Sequence, residues 1–108
     1  MMTRYLYRFG FLTPAQWRAN EEHGWDDESS SAVFILADSS DLALEWGRQI
    51  SEQFVQSLFA ADGWSGTPPS WIQSSFAHWI EPSPEVMAAL EGTIPTVRYG
   101  ETPQLGQL

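Results

Sequence analysis

The chain has 108 residues, 14 of them acidic and five of them Arg, with no Lys and no Cys; its formal net charge is −9. That length sets one domain as the expectation, and a chain of this size buries about 65% of its unfolded surface without staples. The absence of Cys excludes disulfides, thiolate zinc sites and cysteine nucleophiles, and the negative field disfavours nucleic-acid binding because it repels phosphate backbones.

At 43% hydrophobic with six Trp, the composition is that of a folded protein. The longest apolar run, Ala32 to Ala37, is far short of the ~20 residues of a membrane helix. No apolar segment with a small-residue cleavage site opens the chain, so the expected location is the cytoplasm, with no membrane association.

Residues 4–11, RYLYRFGF, alternate: Tyr5, Tyr7, Phe9 and Phe11 share one face, and Arg4, Leu6, Arg8 and Gly10 the other. Period 2 predicts a half-buried strand. Thr13 is a good N-cap, Pro14 suits the first helical position and Gln16 completes a capping box, so a short helix to about Glu22 follows, ended near Gly24. AVFILA, 32–37, reads as a strand buried on both faces. DSSD, 38–41, supplies oxygens and charge for a helix start. Leu42, Trp46, Ile50, Phe54 and Leu58 then recur every four residues, with Ala43, Gly47 and Val55 beside them: a long amphipathic helix laid on a sheet and ended by Gly63.

GWSGTPPS, 63–70, is a loop by composition. WIQSSFAHWI, 71–80, alternates again and predicts a third strand carrying Trp71 and Trp79 on one face. Ser83-Pro84 opens a short helix capped by Gly92, and TIPTVRYG is a last strand that Pro95 places at a sheet edge. Residues 1–99 form one α+β domain and 100–108 a tail. The architecture expected is a two-layer sandwich of about four strands with the long helix on one face, a ferredoxin-like topology being one arrangement. The aromatics of the first and third strands either form the core, leaving the Arg4/Arg8 face to solvent, or make an open apolar face that a homodimer would cover.

Chemistry concentrates in EEHGWDDE, 21–28, with five carboxylates and one imidazole. Hard oxygens suit Ca²⁺ or Mg²⁺, but neither the EF-hand spacing nor H-E-x-x-H is present, so no metal or cofactor is expected. The turn after AVFILA has no glycine to admit a phosphate, and its acids would repel one; capping explains it. Gly63-Trp64-Ser65-Gly66 departs from G-x-S-x-G at Thr67 and follows a helix, and nothing spaces Ser, His and Asp as a triad.

The expectation is therefore a non-enzymatic binding module for a basic protein partner. Glu21, Glu22, Asp26, Asp27 and Glu28 would steer the partner in, Trp25 would serve as the anchor, and Trp64 would be a second anchor. In size and charge, though in no motif, such a module is similar to the immunity proteins that neutralise toxic nucleases. The alternative is a small-molecule-binding or enzymatic domain, dimeric, with an aromatic pocket between helix and sheet where His78, Asp38 and Arg98 supply the polar groups.

Overall fold

The computed structural model describes residues 2–108, so the first residue of the expected 1–99 domain lies outside the described residues. Two nine-residue strands, β1 (Thr3–Phe11) and β2 (Ser29–Ala37), pair antiparallel along their whole length, from Thr3 opposite Ala37 to Phe11 opposite Ser29. They are the centre of a four-stranded sheet. β3 (His78–Glu81) adds antiparallel to the free side of β1, and β4 (Thr96–Arg98) adds parallel to β2, giving the order β3-β1-β2-β4.

A helix joins each consecutive pair of strands: α1 (Pro14–His23), α2 (Ser40–Asp62) and α3 (Pro84–Leu90). The α+β class and the long helix laid on the sheet are as expected. The ferredoxin-like alternative is not the topology found, because that fold runs β-α-β-β-α-β and here helices separate all four strands.

Local chemistry explains the helix ends. Thr13 and Gln16 form the reciprocal capping box at the start of α1, and Gly24, at φ 69°, closes its end in the left-handed region. The Ser39 hydroxyl accepts from the Leu42 N–H to start α2, and the Ser83 hydroxyl accepts from the Val86 N–H to start α3. Asp41 lies in the first turn of α2, where its charge suits the helix dipole.

The buried line of α2 runs through Ala43, Gly47, Ile50, Ser51, Phe54, Val55 and Phe59. Leu42, Trp46 and Leu58 flank it, half-buried. A strict four-residue row drifts by about 40° per step around a helix with 3.6 residues per turn, so the contact face moves off that row along the 23 residues of α2. Against this line pack Tyr7, Phe9 and Phe11 of β1, Val33 and Ile35 of β2, and Val97 of β4.

The opposite face of the sheet is not simply solvated. Leu6, Ala32 and Phe34 are buried there under Val86, Met87 and Leu90 of α3 and under Ile94. β1 is thus a fully buried strand rather than a half-buried one at Leu6 and Tyr7. The Arg4 guanidinium lies 4.5 Å over the Phe34 ring and pairs with Glu91.

The third strand is shorter than the alternation of 71–80 predicts. Its pairing with β1 places Phe9 opposite His78. Residues 71–75 would need partners at 12–16, and β1 has ended there and α1 begun. Trp71 instead precedes a 3-10 turn (Ile72–Ser74) and is fully enclosed, its indole N–H donating to the Gly10 carbonyl at 2.8 Å. Trp79 faces away from α2, opposite Arg8. Trp71 and Trp79 therefore do not share a face with Tyr5 and Tyr7 on one strand. The segment 100–108 lies along α2: Trp46 Nε1 donates to the Glu101 carbonyl at 2.7 Å, and Leu105 and Leu108 pack against the core.

Candidate functional site

α1 presents the acidic segment at its C-terminal end. After His23 the chain turns through Gly24, whose N–H donates to the Asn20 carbonyl at 2.8 Å. The side chain of Asn20 then ties the loop closed: its Nδ2 donates to the Asp27 carbonyl at 2.9 Å, and its Oδ1 accepts from the Asp27 N–H at 3.2 Å. On the far side, Ser29 Oγ donates to Gln16 Oε1 at 3.0 Å, the same oxygen that accepts from the Thr13 N–H. A loop held at both ends loses less freedom on binding than an open one.

All eight residues from Glu21 to Glu28 are exposed. Trp25 is 53% exposed, with its ring stacked on His23 at 4.3 Å between centroids and 23° between planes. None of the five Arg pairs with Glu21, Glu22, Asp26, Asp27 or Glu28 among the described residues; only His23 approaches one of them, 4.0 Å from Glu22. The Glu28 carboxylate lies over Gly10, where any Cβ would collide with it. Among the described residues no group of three or more His, Asp or Glu side chains is placed to hold a metal ion.

Trp64 is placed differently. It is half-buried, edge-on to Phe59 at 4.8 Å, and the Arg18 guanidinium lies 4.9 Å over its ring while pairing with Asp62 at 2.6 Å. Its face is already occupied by the chain's own cation.

His78, Asp38 and Arg98 do not converge. His78 lies opposite Phe9, whose other neighbour is Ser31, whereas Arg98 lies opposite Leu36. Five residues along β2 separate the two positions by about 17 Å. Asp38 follows the end of β2, beyond Leu36. The space between α2 and the sheet is filled by Tyr7, Phe9, Ile35 and Ile50, each fully buried. His78 is half-buried, its Nδ1 2.8 Å from the Phe76 carbonyl and its ring against Trp71. Three surface depressions of about 250, 390 and 450 Å³ are lined by none of these three residues.

The Asn20–Asp27 clamp has no signature in the sequence, since Asn in a last helical turn has many other uses. The depression of about 250 Å³ lined by Arg8, Ser30, Ser31, Ala32, Leu90 and Ile94 is also invisible there, because it arises only where α3 stops short of covering the sheet. No family model matches this chain, and no curated protein and no solved structure matches it either.

Proposed function

We propose that the chain is a non-enzymatic binding module that takes a basic surface of another protein onto the loop 21–28. The observation that supports this reading is Trp25: a large apolar ring held more than half exposed, propped on His23 and set among five carboxylates that no Arg neutralises among the described residues. The carboxylates raise the encounter rate with a cationic partner, and the ring supplies a desolvated contact once docked. The Asn20 clamp keeps both in place before the partner arrives. Occupying and blocking a basic functional surface, as an inhibitor of immunity type does, is the simplest use of such a loop.

The test is capture of partners from a lysate of the source cell at low and high salt, by the native chain and by a variant with Glu21, Glu22 and Glu28 changed to Gln and Asp26 and Asp27 to Asn. The expected result is one basic protein, held at low salt, released at high salt and lost by the variant. Retention that is the same for both chains and at both salt concentrations would overturn the proposal.

A further inference from the structure

The sheet has a gap beside the acidic loop. β2 is nine residues long, but β4 covers only Phe34 to Leu36 of its outer edge. The Phe34 N–H donates outward to the Pro95 carbonyl and the Leu36 carbonyl accepts from the Tyr99 N–H, so the even-numbered residues of β2 point their backbone groups away from β1. Ala32 and Ser30 therefore do the same.

In the parallel register, the next rung would join the Ala32 carbonyl to the N–H of residue 95, and that residue is Pro, which has none. Thr93, which would accept from the Ala32 N–H, is turned back to the Leu90 carbonyl at the end of α3. Among the described residues neither Ala32 nor Ser30 has a hydrogen-bond partner on this side. Their edge opens into the depression of about 250 Å³ whose apolar lining is Ala32, Leu90 and Ile94, and whose one cation, Arg8, is paired with Glu81 at 2.8 Å. Exposed edges of this kind are commonly guarded by Lys, Pro or a bulge. Here Ser29, Ser30, Ser31 and Ala32 carry none of these.

We infer that this edge takes an extended basic segment of the partner protein, which adds as a strand beside Ser30 and Ala32. The main chain supplies the pairing, alternate apolar side chains enter the depression at Leu90 and Ile94, and Lys or Arg side chains meet the five carboxylates of 21–28, which run directly into Ser29. This rests on the proposed use of the loop and names the form of its partner.

The probe is an acetylated, amidated octapeptide alternating Lys and Val, fluorescently labelled, at physiological salt. Its controls are the same peptide N-methylated at alternate residues, so that it keeps its charge but loses one pairing edge, and a Glu-Val peptide. Amide exchange of the protein is followed by NMR. The expected result is binding of the Lys-Val peptide, with exchange of the Ser30 and Ala32 amides slowed about tenfold or more while Val33 and Ile35, which already face β1, hardly change. N-methylation and the Ser30→Pro substitution, which removes an outward N–H, should each weaken binding about tenfold. The N-methylated peptide decides the matter even where Ser30→Pro fails to fold.

Equal binding of the N-methylated peptide with unchanged Ser30 and Ala32 exchange overturns strand addition; if the Gln/Asn loop variant still loses the peptide, the loop proposal stands. Equal binding of the Glu-Val peptide, unaffected by the loop variant, overturns both. No binding at millimolar peptide overturns the strand inference alone, since the lysate capture tests the loop independently.

Discussion

The ring of Tyr7 lies on the backbone of Gly47, and its hydroxyl meets Ser51 Oγ, one turn further along α2, at 2.7 Å. Ser51 Oγ also donates to the Gly47 carbonyl at 2.9 Å, which uses its only proton, so Tyr7 is the donor in the buried pair. This contact docks the long helix on the first strand. It is close because residue 47 has no side chain.

Gly47→Ala isolates that contact. Alanine is favoured over glycine within a helix by up to about 1 kcal/mol, but its Cβ would overlap the Tyr7 ring, and overpacking costs about 1–3 kcal/mol. The expected result is a net loss of about 1–2 kcal/mol in urea unfolding. An equally stable or stabilised variant would show that the ring is not seated there.

The hydroxyl pair should respond unequally to its two deletions. Ser51→Ala strands a buried phenol without an acceptor and costs about 1–3 kcal/mol, whereas Tyr7→Phe leaves Ser51 bonded to Gly47 and costs about 1 kcal/mol or less. Burial pushes the Tyr7 ionisation well above its ordinary value of 10.0, against smaller opposing effects of Ser51 and Arg48. A raised acid holds its stabilising contribution below the unfolded value and loses it as the pH climbs beyond. Stability should therefore fall above about pH 10, and less steeply in Tyr7→Phe, by up to about 1.4 kcal/mol per pH unit. Urea midpoints of both chains at about pH 8 and pH 11 measure the difference.

Glu52 organises the turn that replaces the front of the third strand. Its two carboxylate oxygens accept from Ser70 Oγ at 2.7 Å and from the Trp71 N–H at 2.6 Å. Glu52→Ala frees both donors, one of them beside a fully buried indole, and should cost about 1.5–3 kcal/mol. Weakening of the Trp71 near-ultraviolet dichroism before global unfolding is the accompanying sign. Unchanged stability would place the turn's support elsewhere.

Trp25 and Trp64 should separate function from stability. Trp25→Ala removes an exposed ring and should change stability by no more than about 0.5 kcal/mol while weakening binding of the proposed basic partner about tenfold or more. Trp64→Ala removes packing on Phe59 and the seat of Arg18, and should cost about 2 kcal/mol, less than the ~3–5 kcal/mol of a fully enclosed Trp. Titration calorimetry with the captured partner, beside urea unfolding of each variant, reads both. A Trp25→Ala chain that binds undiminished removes the anchor from the proposed site.

Features closed within a few residues were legible in the chain itself. Thr13, Pro14 and Gln16 announce the start of α1, Ser83-Pro84 that of α3, and the uninterrupted AVFILA a strand covered on both sides. The acidic loop was legible as composition, and its exposure follows from having no apolar residue but Trp25 to bury. The front half of WIQSSFAHWI was not legible as a turn, because alternation says which side chains share a face but not whether a strand is available beside them. The same holds for Trp25 against Trp64: each is a tryptophan next to a glycine, and only the approach of α1 to the end of α2 puts Arg18 over one of them.

By itself, then, the sequence determined the element types outside residues 71–77, the helix caps, the excess of negative charge and its concentration at 21–28, all of which depend on neighbours a few positions away. The tertiary structure decided the strand order, the seating of Tyr7 on Gly47, the burial of Trp71, and the bare edge at Ser30 and Ala32 beside the acidic loop. These depend on which distant segments meet, and that is set by the summed burial and hydrogen bonding of the whole sheet, down to the one N–H that Pro95 lacks.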